Sequence, residues 1–298
     1  ISFRRIINHS QIAKCFFREI QNIEKPDLIL CAYPSIELAY YATKFAKKND
    51  IPIVIDARDM WPDIFLDVIP NFIKPFAKAL LWPFFQMAKY IFTNATSIVG
   101  ITDGFVDWAI NYVPRKKSRK DKSFYLAYPK HKLNKNKVDL AKTFWSDFGL
   151  NPNQFLVSYV GAVSKNKINI SPVFLAAEKL KDNPNIKFII AGDGDDRKKL
   201  IDQAKKLELS NIFFPGWIDK YQIKYLLKIS SFGLVPLNNR SDYKLSIPNK
   251  PIEYLANSLP ILSSLKGELH NLIETESIGF NYRNGEELEK IINSQLSN

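Results

Sequence analysis

The chain is poor in the residues that build covalent or metal frameworks. Its 298 residues include two cysteines, Cys15 and Cys31. They make no disulfide framework and show no metal-type spacing, which favours a reducing compartment. The histidines are three and scattered (His9, His131, His270), so a histidine-based metal site is not expected. Long apolar runs are missing too. The charge-free stretch Ala79–Ala88 is ten residues long, short of the roughly 20 that a membrane-crossing helix needs. No initiator Met and no signal-peptide pattern open the chain, and Ile1 reads as the middle of a fold, so a fragment is expected. No internal repeat is visible.

What is present is globular. Apolar residues make up 46% and charged ones 24%, a balance that excludes disorder and leaves room for two domains. Net charge is +12 and the pI about 9.4. Ten Lys/Arg against the single acid Asp121 lie between Arg115 and Lys137. Such a run reads as a solvated, mobile segment or as attraction to anionic lipid. Nucleic acid is not expected as a partner, because no binding motif accompanies the charge.

Apolar strands alternate with amphipathic helices along the whole chain. Residues 10–24 read as helix, 27–32 as strand, 36–48 as helix and 51–56 as strand. Ser97–Thr102 and Phe124–Tyr128 read as further strands. Between them, residues 64–93 are rich in Phe, Leu, Ile and Trp. Pro75 is expected to open a helix there and Pro83 to kink it. Lys74, Lys78 and Lys89 form a stripe beside aromatics, which suits a membrane-interface helix; a core helix against the sheet also fits and is preferred. Residues 130–152 read as the interdomain connection. Strands at 155–160, 186–191, 212–214 and 232–235 then alternate with helices at 172–180, 197–207 and 220–229, and a last helix covers 288–296. This pattern predicts parallel sheets covered by helices, with ligands at the carboxyl ends of the strands. The expected domains are 1–129 and 153–298, joined by 130–152.

Several residues suit nucleotide chemistry. Gly161 ends a strand and is followed by Lys165 and Lys167, which can neutralise a diphosphate. Gly192–Asp193–Gly194 ends another strand; a lone Gly-x-Gly is a weak signal, and Asp195 or Asp196 is expected to cap the next helix. Gly216 and Trp217 end a third strand, where backbone can bracket a base, although Trp217 reads more readily as packing. From Ser246 to Ser264 the chain reads as loop, short helix and buried strand. Ser246 or Asn249 is expected to cap that helix, whose first turn and Lys250 suit a phosphate. Glu253, one turn on, can accept two hydrogen bonds from a vicinal diol such as ribose. The same residues also fit a solvated surface helix. Asp56–Asp63, containing Arg58 and Asp59, marks another strand end.

Ser-Ile-Pro-Asn-Lys-Pro-Ile-Glu-Tyr-Leu-Ala, Tyr-Val-Gly-Ala, Ala-Gly-Asp-Gly-Asp and Phe-Pro-Gly-Trp resemble, in this arrangement, family 4 glycosyltransferases of GT-B fold. Asp-Ala-Arg-Asp-Met-Trp-Pro-Asp is similar to the branch that builds bacterial surface polysaccharides such as lipopolysaccharide and capsule. The resemblance covers essentially the whole chain, its C-terminal half being the more specific part. It implies an α/β protein of two Rossmann-like doubly wound domains facing a cleft, the first incomplete. It implies a nucleotide-sugar donor, retained anomeric configuration, no metal and no cofactor. The implied acceptor is a lipid-linked glycan at the cytoplasmic face, the enzyme being peripheral to the membrane. Glu253 would hold the ribose, Lys167 the phosphate, Arg58 would stand beside the donor sugar, and Gly216 and Trp217 would border the base.

Three features depart from that pattern. Leu245 occupies the position of the family's first acidic residue, Ala162 that of a phosphate-binding arginine for which Lys250 is the expected substitute, and the N-terminal strand with its glycine-rich loop is expected ahead of Ile1 and not seen in the sequence. A nucleotide-sugar epimerase of the same fold and a non-catalytic nucleotide-binding module are therefore the alternatives. The first would convert a sugar nucleotide without acceptor; the second would bind without turnover.

Overall fold

Apolar runs of four to six residues, bounded by glycine or polar turns, become the strands of two parallel sheets. The computed structural model describes residues 3–33, 35–67, 69–129 and 134–296. These divide into two compact units: one runs to Tyr125 and takes in Arg240–Ser246, the other comprises Leu126–Asn239 and the chain from Ile247 onward.

The first unit begins with α1 (Phe3–Glu19), longer than expected, and continues through β1 (Ile29–Tyr33), α2 (Ile36–Lys48) and β2 (Ile53–Ala57). After the single-turn α3 (Ile64–Asp67) come α4 (Lys74–Leu80), α5 (Trp82–Asn94), β3 (Ser97–Gly100), α6 (Asp103–Ile110) and β4 (Lys122–Ser123). The strands pair in parallel in the order β1-β2-β3-β4. Ile53, Ile55, Ile98 and, from the helices, Phe92 and Phe105 fill its core.

Two expectations here are corrected. The helix at 74–92 is not one core helix kinked at Pro83. It is two helices, each with a proline in its first turn, where the missing N–H costs nothing. No residue of α4 is buried, whereas α5 buries Ala88, Ile91 and Phe92. The strand expected at Phe124–Tyr128 is instead the two-residue β4, and Phe124 and Tyr125 are exposed. The basic stretch is also anchored. Asp121, with its side chain wholly buried, accepts hydrogen bonds from Arg115, from the Ile98 and Ser118 amides and from the Ser118 hydroxyl. Burial opposes its ionisation, but those donors outweigh burial and hold the carboxyl well below the usual range.

In the second unit, α7 (Lys135–Asp147) precedes β5 (Phe155–Val160), α8 (Ser171–Lys179), β6 (Ile186–Ala191), α9 (Arg197–Lys206), β7 (Ile212–Gly216), α10 (Lys220–Ile229) and β8 (Phe232–Val235). The short α11 (Ser241–Lys244) belongs to the first unit, where Leu245 packs at the core's edge and its carbonyl accepts from Thr102. Then follow α12 (Asn249–Leu255), β9 (Ile261–Ser263), α13 (Glu268–Glu276), β10 (Gly279–Asn281) and α14 (Gly285–Leu296). The order β10-β9-β8-β5-β6-β7, all parallel, reverses direction between β5 and β8. Open α/β sheets bind ligands at such a reversal. The stretch expected to be a connection contains α7, which packs on α10 through the fully buried Trp145; Lys130–Leu133 lie outside the described residues.

Candidate functional site

The candidate residues of the second unit lie at or after the carboxyl ends of β5, β6, β7 and β8, where two tyrosines and four glycines pack the strand ends. Tyr254 of α12 is fully buried, and its hydroxyl accepts from the Val160 amide at 3.2 Å and donates to the Leu234 carbonyl at 3.3 Å. One side chain thereby pins α12 over the carboxyl ends of both β5 and β8. Gly233 makes room for it, since a Cβ there would fall 2.3 Å from the ring. Beneath, Gly192 sits at φ +130, where a Cβ would lie 1.9 Å from the Gly161 carbonyl oxygen, and its amide donates to the Gly216 carbonyl at 2.7 Å. Three glycines named from sequence thus meet at the ends of β5, β6 and β7. Their immediate close approach is to one another's backbone. Gly161 also yields space to the Tyr159 ring, whose hydroxyl bonds the Ala162 carbonyl.

The loop after β5 and the segment after β8 are stitched together. Ile168 bridges Leu237, Asn169 donates to the Pro236 carbonyl at 2.7 Å, and the Asn238 amide donates to the Lys167 carbonyl at 2.9 Å. Lys167 itself is exposed, and its ammonium has no ion-pair partner among the described residues. Lys165 is exposed too, with its backbone N–H bonded to Asp196 at 2.8 Å.

Glu253 lies on α12. Its Oε2 pairs with Lys250 at 2.8 Å, and its Oε1 has a long 3.4 Å contact with the Tyr128 hydroxyl. Lys250 is therefore committed to Glu253 rather than free for a phosphate. Tyr128 was expected in a strand; nothing in the sequence links it to Glu253, 125 positions away. Trp217 is 75% exposed, which overturns the packing reading and leaves its indole face open.

The capping expectations are corrected. Pro248, in extended backbone, is the N-cap of α12, with Asn249 the first helical residue. The Ser246 hydroxyl donates to the Tyr243 carbonyl at 3.2 Å, and Ser246 belongs to the first unit. Asp196 is the N-cap of α9 but makes no side-chain cap bond. The Lys165 amide, before Lys199, lowers its carboxyl pKa.

In the first unit, Arg58 and Asp59 follow β2. The Arg58 guanidinium pairs with Asp56 at 2.7 Å, and its amide donates to the Tyr33 carbonyl. Asp59 faces the returning segment at Tyr243. Burial pushes that phenol upward, while Arg240 opposes and the Asp242 and Asp59 carboxylates add to the rise. Asp63 accepts from Trp108 and Tyr112, a structural role that the acidic cluster did not announce. Among the described residues no group of three or more His, Cys, Asp or Glu is placed to hold a metal.

A family model described as "Glycosyl transferases group 1" matches residues 142–298, more than half of the chain and the whole six-stranded sheet. The chain belongs to the group 1 glycosyltransferases. Alpha-galactosylglucosyldiacylglycerol synthase of Streptococcus pneumoniae is 26% identical over 225 residues, covering 70% of this chain and 54% of the relative. The chain therefore spans about half the length of that curated relative. Among solved structures, Anabaena HepE in complex with UDP superposes with a TM-score of 0.68 at 14% identity, over 96% of this chain and 72% of HepE. WaaG, described as a glycosyltransferase involved in lipopolysaccharide biosynthesis, gives 0.60 at 15% identity over 93% and 77%. These likenesses show that this group 1 glycosyltransferase has the GT-B type of α/β fold with two parallel sheets. They carry no residue roles.

Proposed function

We propose that this chain is the body of a retaining glycosyltransferase of hexosyl type that moves a sugar from a nucleotide-sugar donor to a lipid-linked glycan in bacterial surface-polysaccharide synthesis. One observation carries the donor half of this reading. Lys167 follows β5, Glu253 follows β8, and these are the two strands that flank the reversal of the six-stranded sheet.

In this reading the carboxylate of Glu253, oriented by Lys250, takes the ribose diol in place of its long contact with Tyr128. Lys167, with Lys165 beside it, stabilises the negative charge that develops on the leaving diphosphate. A cation already in place there needs no reorganisation during the reaction. The exposed face of Trp217, with Gly216, borders the base, and Gly161 and Gly192 let the phosphates approach the sheet ends. Ser246 and Asn249 frame the entry to α12. Arg58 and Asp59 are the catalytic candidates of the first unit in this reading. Lys167 supplies the charge that a divalent metal or other cofactor would otherwise bring.

HepE was solved with UDP, which supports a nucleotide donor. The name of the streptococcal relative contains a diacylglycerol glycolipid and that of WaaG lipopolysaccharide, which supports a lipid-linked acceptor. Among the described residues no helix is long and apolar enough to cross a membrane. Contact with a membrane surface, which this reading puts at the cytoplasmic face, is supported by the exposed apolar side chains around α4.

Calorimetry with UDP tests the site. Glu253→Gln keeps the shape but removes the charge, and loss of a hydrogen bond to a charged group is worth about 1.5–3 kcal/mol. UDP affinity is expected to fall roughly tenfold or more on that scale. Equal affinity in the variant would reject the ribose assignment.

A further inference from the structure

One cation of the second unit lies away from the sheet reversal, at the ends of β6 and β7. Arg197 is the first residue of α9, and its amide closes the turn after β6 by donating to the Gly194 carbonyl at 3.1 Å. Its side chain runs to the end of β7, where Nη2 donates to the Phe214 carbonyl at 2.7 Å. Gly216 makes room for it. A Cβ there would lie 3.3 Å from Nη2 and 3.4 Å from the central guanidinium carbon, and the residue sits at φ +85. Glycine at 216 therefore serves the backbone turn and the arginine together.

No carboxylate pairs with this guanidinium among the described residues. Of the acids just before it in the chain, Asp196 is held by Lys199 and the Lys165 amide, and Asp193 by the Gly194 amide. Asp219, at the start of α10, is closed in a capping box with Gln222. Nε of Arg197 is buried without a partner. Nη1 has no partner either among the described residues, but it is not buried, so it is the edge of the group that a ligand can reach. A partly buried cation is costly to hold unless an acceptor faces it, and a guanidinium can only donate.

We propose that Arg197 sets the base specificity of the donor site by donating from Nη1 to a carbonyl oxygen at the end of the base remote from the ribose. This rests on the reading in which Glu253 takes the ribose and Gly216 with Trp217 borders the base. The sheet order gives the direction. Glu253 follows β8, Arg197 packs on the end of β7, and β5 and β6 lie between them. A nucleoside laid along the strand ends from Glu253 therefore points the far edge of its base at Arg197. In uracil and guanine that edge carries a keto oxygen, an acceptor; in cytosine and adenine it carries an amino group, a donor. A group that can only donate bonds the first pair and is left without an acceptor by the second.

Calorimetry with UDP against CDP, and GDP against ADP, tests it, since the members of the first pair differ only along that edge. The parent should bind one keto nucleotide, UDP or GDP, at least about tenfold more tightly than its amino counterpart. In Arg197→Ala that ratio should vanish through lost affinity for the keto nucleotide, while the amino nucleotide binds as before. Arg197→Lys keeps a cation without the planar fork, so part of the ratio should return. An arginine that merely braces β7 would lower the affinity of both nucleotides alike. Equal binding of keto and amino nucleotides by the parent, an unchanged ratio in Arg197→Ala (or in Arg197→Lys, should the alanine variant not fold), or an equal loss for both nucleotides would each overturn the assignment. Binding of no nucleotide at all would overturn the donor-site reading itself, and this assignment with it.

Discussion

In the first unit, α4 carries Phe76 and Leu80 out into solvent, 77% and 80% exposed, and no residue of the helix is buried. In the second, α7 turns Trp145 wholly inward, with its indole N–H bonded to the Gln222 carbonyl at 2.9 Å. Both helices lie in lysine-bearing stretches interrupted by aromatics. Sequence reasoning assigned them the opposite way, α4 to the core and α7 to a connection. The difference teaches that such composition does not choose a side. A helix buries its aromatics when a neighbour offers a face at the right height, as α10 does for α7. The neighbours α4 does contact, α3 and α5, leave all seven of its residues unburied. Cations show the reverse contrast. Around the first unit's basic stretch Arg115 and Lys117 are tied to Asp121, Asp103 and Asp107, whereas Lys167 in the second unit has no such tie among the described residues.

The sharpest way to break this comparison is at Trp145. Replacing a fully buried tryptophan by alanine costs about 3–5 kcal/mol. Trp145→Ala should therefore lower the denaturant midpoint of the second unit's unfolding by an amount a flexible connection would never show. An unchanged midpoint would restore the reading of residues 130–152 as a tether.

A somewhat smaller effect is expected at Asp121, which decides whether the basic stretch is mobile or anchored. Removing one partner of a buried, paired charge costs about 3 kcal/mol or more, so Asp121→Ala should destabilise the first unit by that order at neutral pH. The carboxyl's folded pKa lies below its unfolded value near 4. Its contribution is then fully present above about pH 4 and fades as pH falls below that value. The gap between the melting curves of parent and variant should narrow steadily as pH falls below about 4, without closing by pH 3. A gap that stayed constant with pH would mean that the charge of Asp121 contributes nothing.

Much of the second unit could be read from residues alone. The strands 155–160, 186–191 and 232–235 and the helix 220–229 were expected with the bounds they have. The strands are nearly unbroken apolar runs between polar turns, and Asp219 closes the helix start with Gln222 in a capping box. Gly161, Gly192 and Gly216 were legible as strand-ending glycines: Gly192 is pressed against the Gly161 carbonyl, Gly216 has a positive φ, and Gly161 yields to the Tyr159 ring. Tyr254 and Tyr128 were not, since their partners Val160 and Glu253 lie 94 and 125 positions away. β10 escaped notice because three half-exposed residues carry no period. Ser246 and Asn249 looked like caps until Pro248 took that position with its own extended backbone.

The smallest expected effect bears on the side of the comparison that faces solvent. Phe72, Phe76, Leu80 and Trp82 are all at least 60% exposed, alongside Lys74 and Lys78. Scattered apolar side chains need no explanation, but four within eleven residues beside two lysines form a patch. An anionic bilayer would cover the apolar atoms while its headgroups meet the ammonium groups. Partial immersion of one phenyl ring is worth about 1 kcal/mol, less than the 1.5–3 for full burial, so Phe76→Ser should reduce partitioning roughly fivefold. Flotation with phosphatidylglycerol vesicles, set against phosphatidylcholine vesicles, reads this directly. Binding should weaken as salt rises, because the lysine contribution is screened within about 10 Å at 0.1 M. Folding stability should stay within about 0.5 kcal/mol, as for other exposed positions. Equal flotation of parent and variant, or no preference for the anionic lipid, would return α4 to the class of helices whose aromatics simply lack a neighbour.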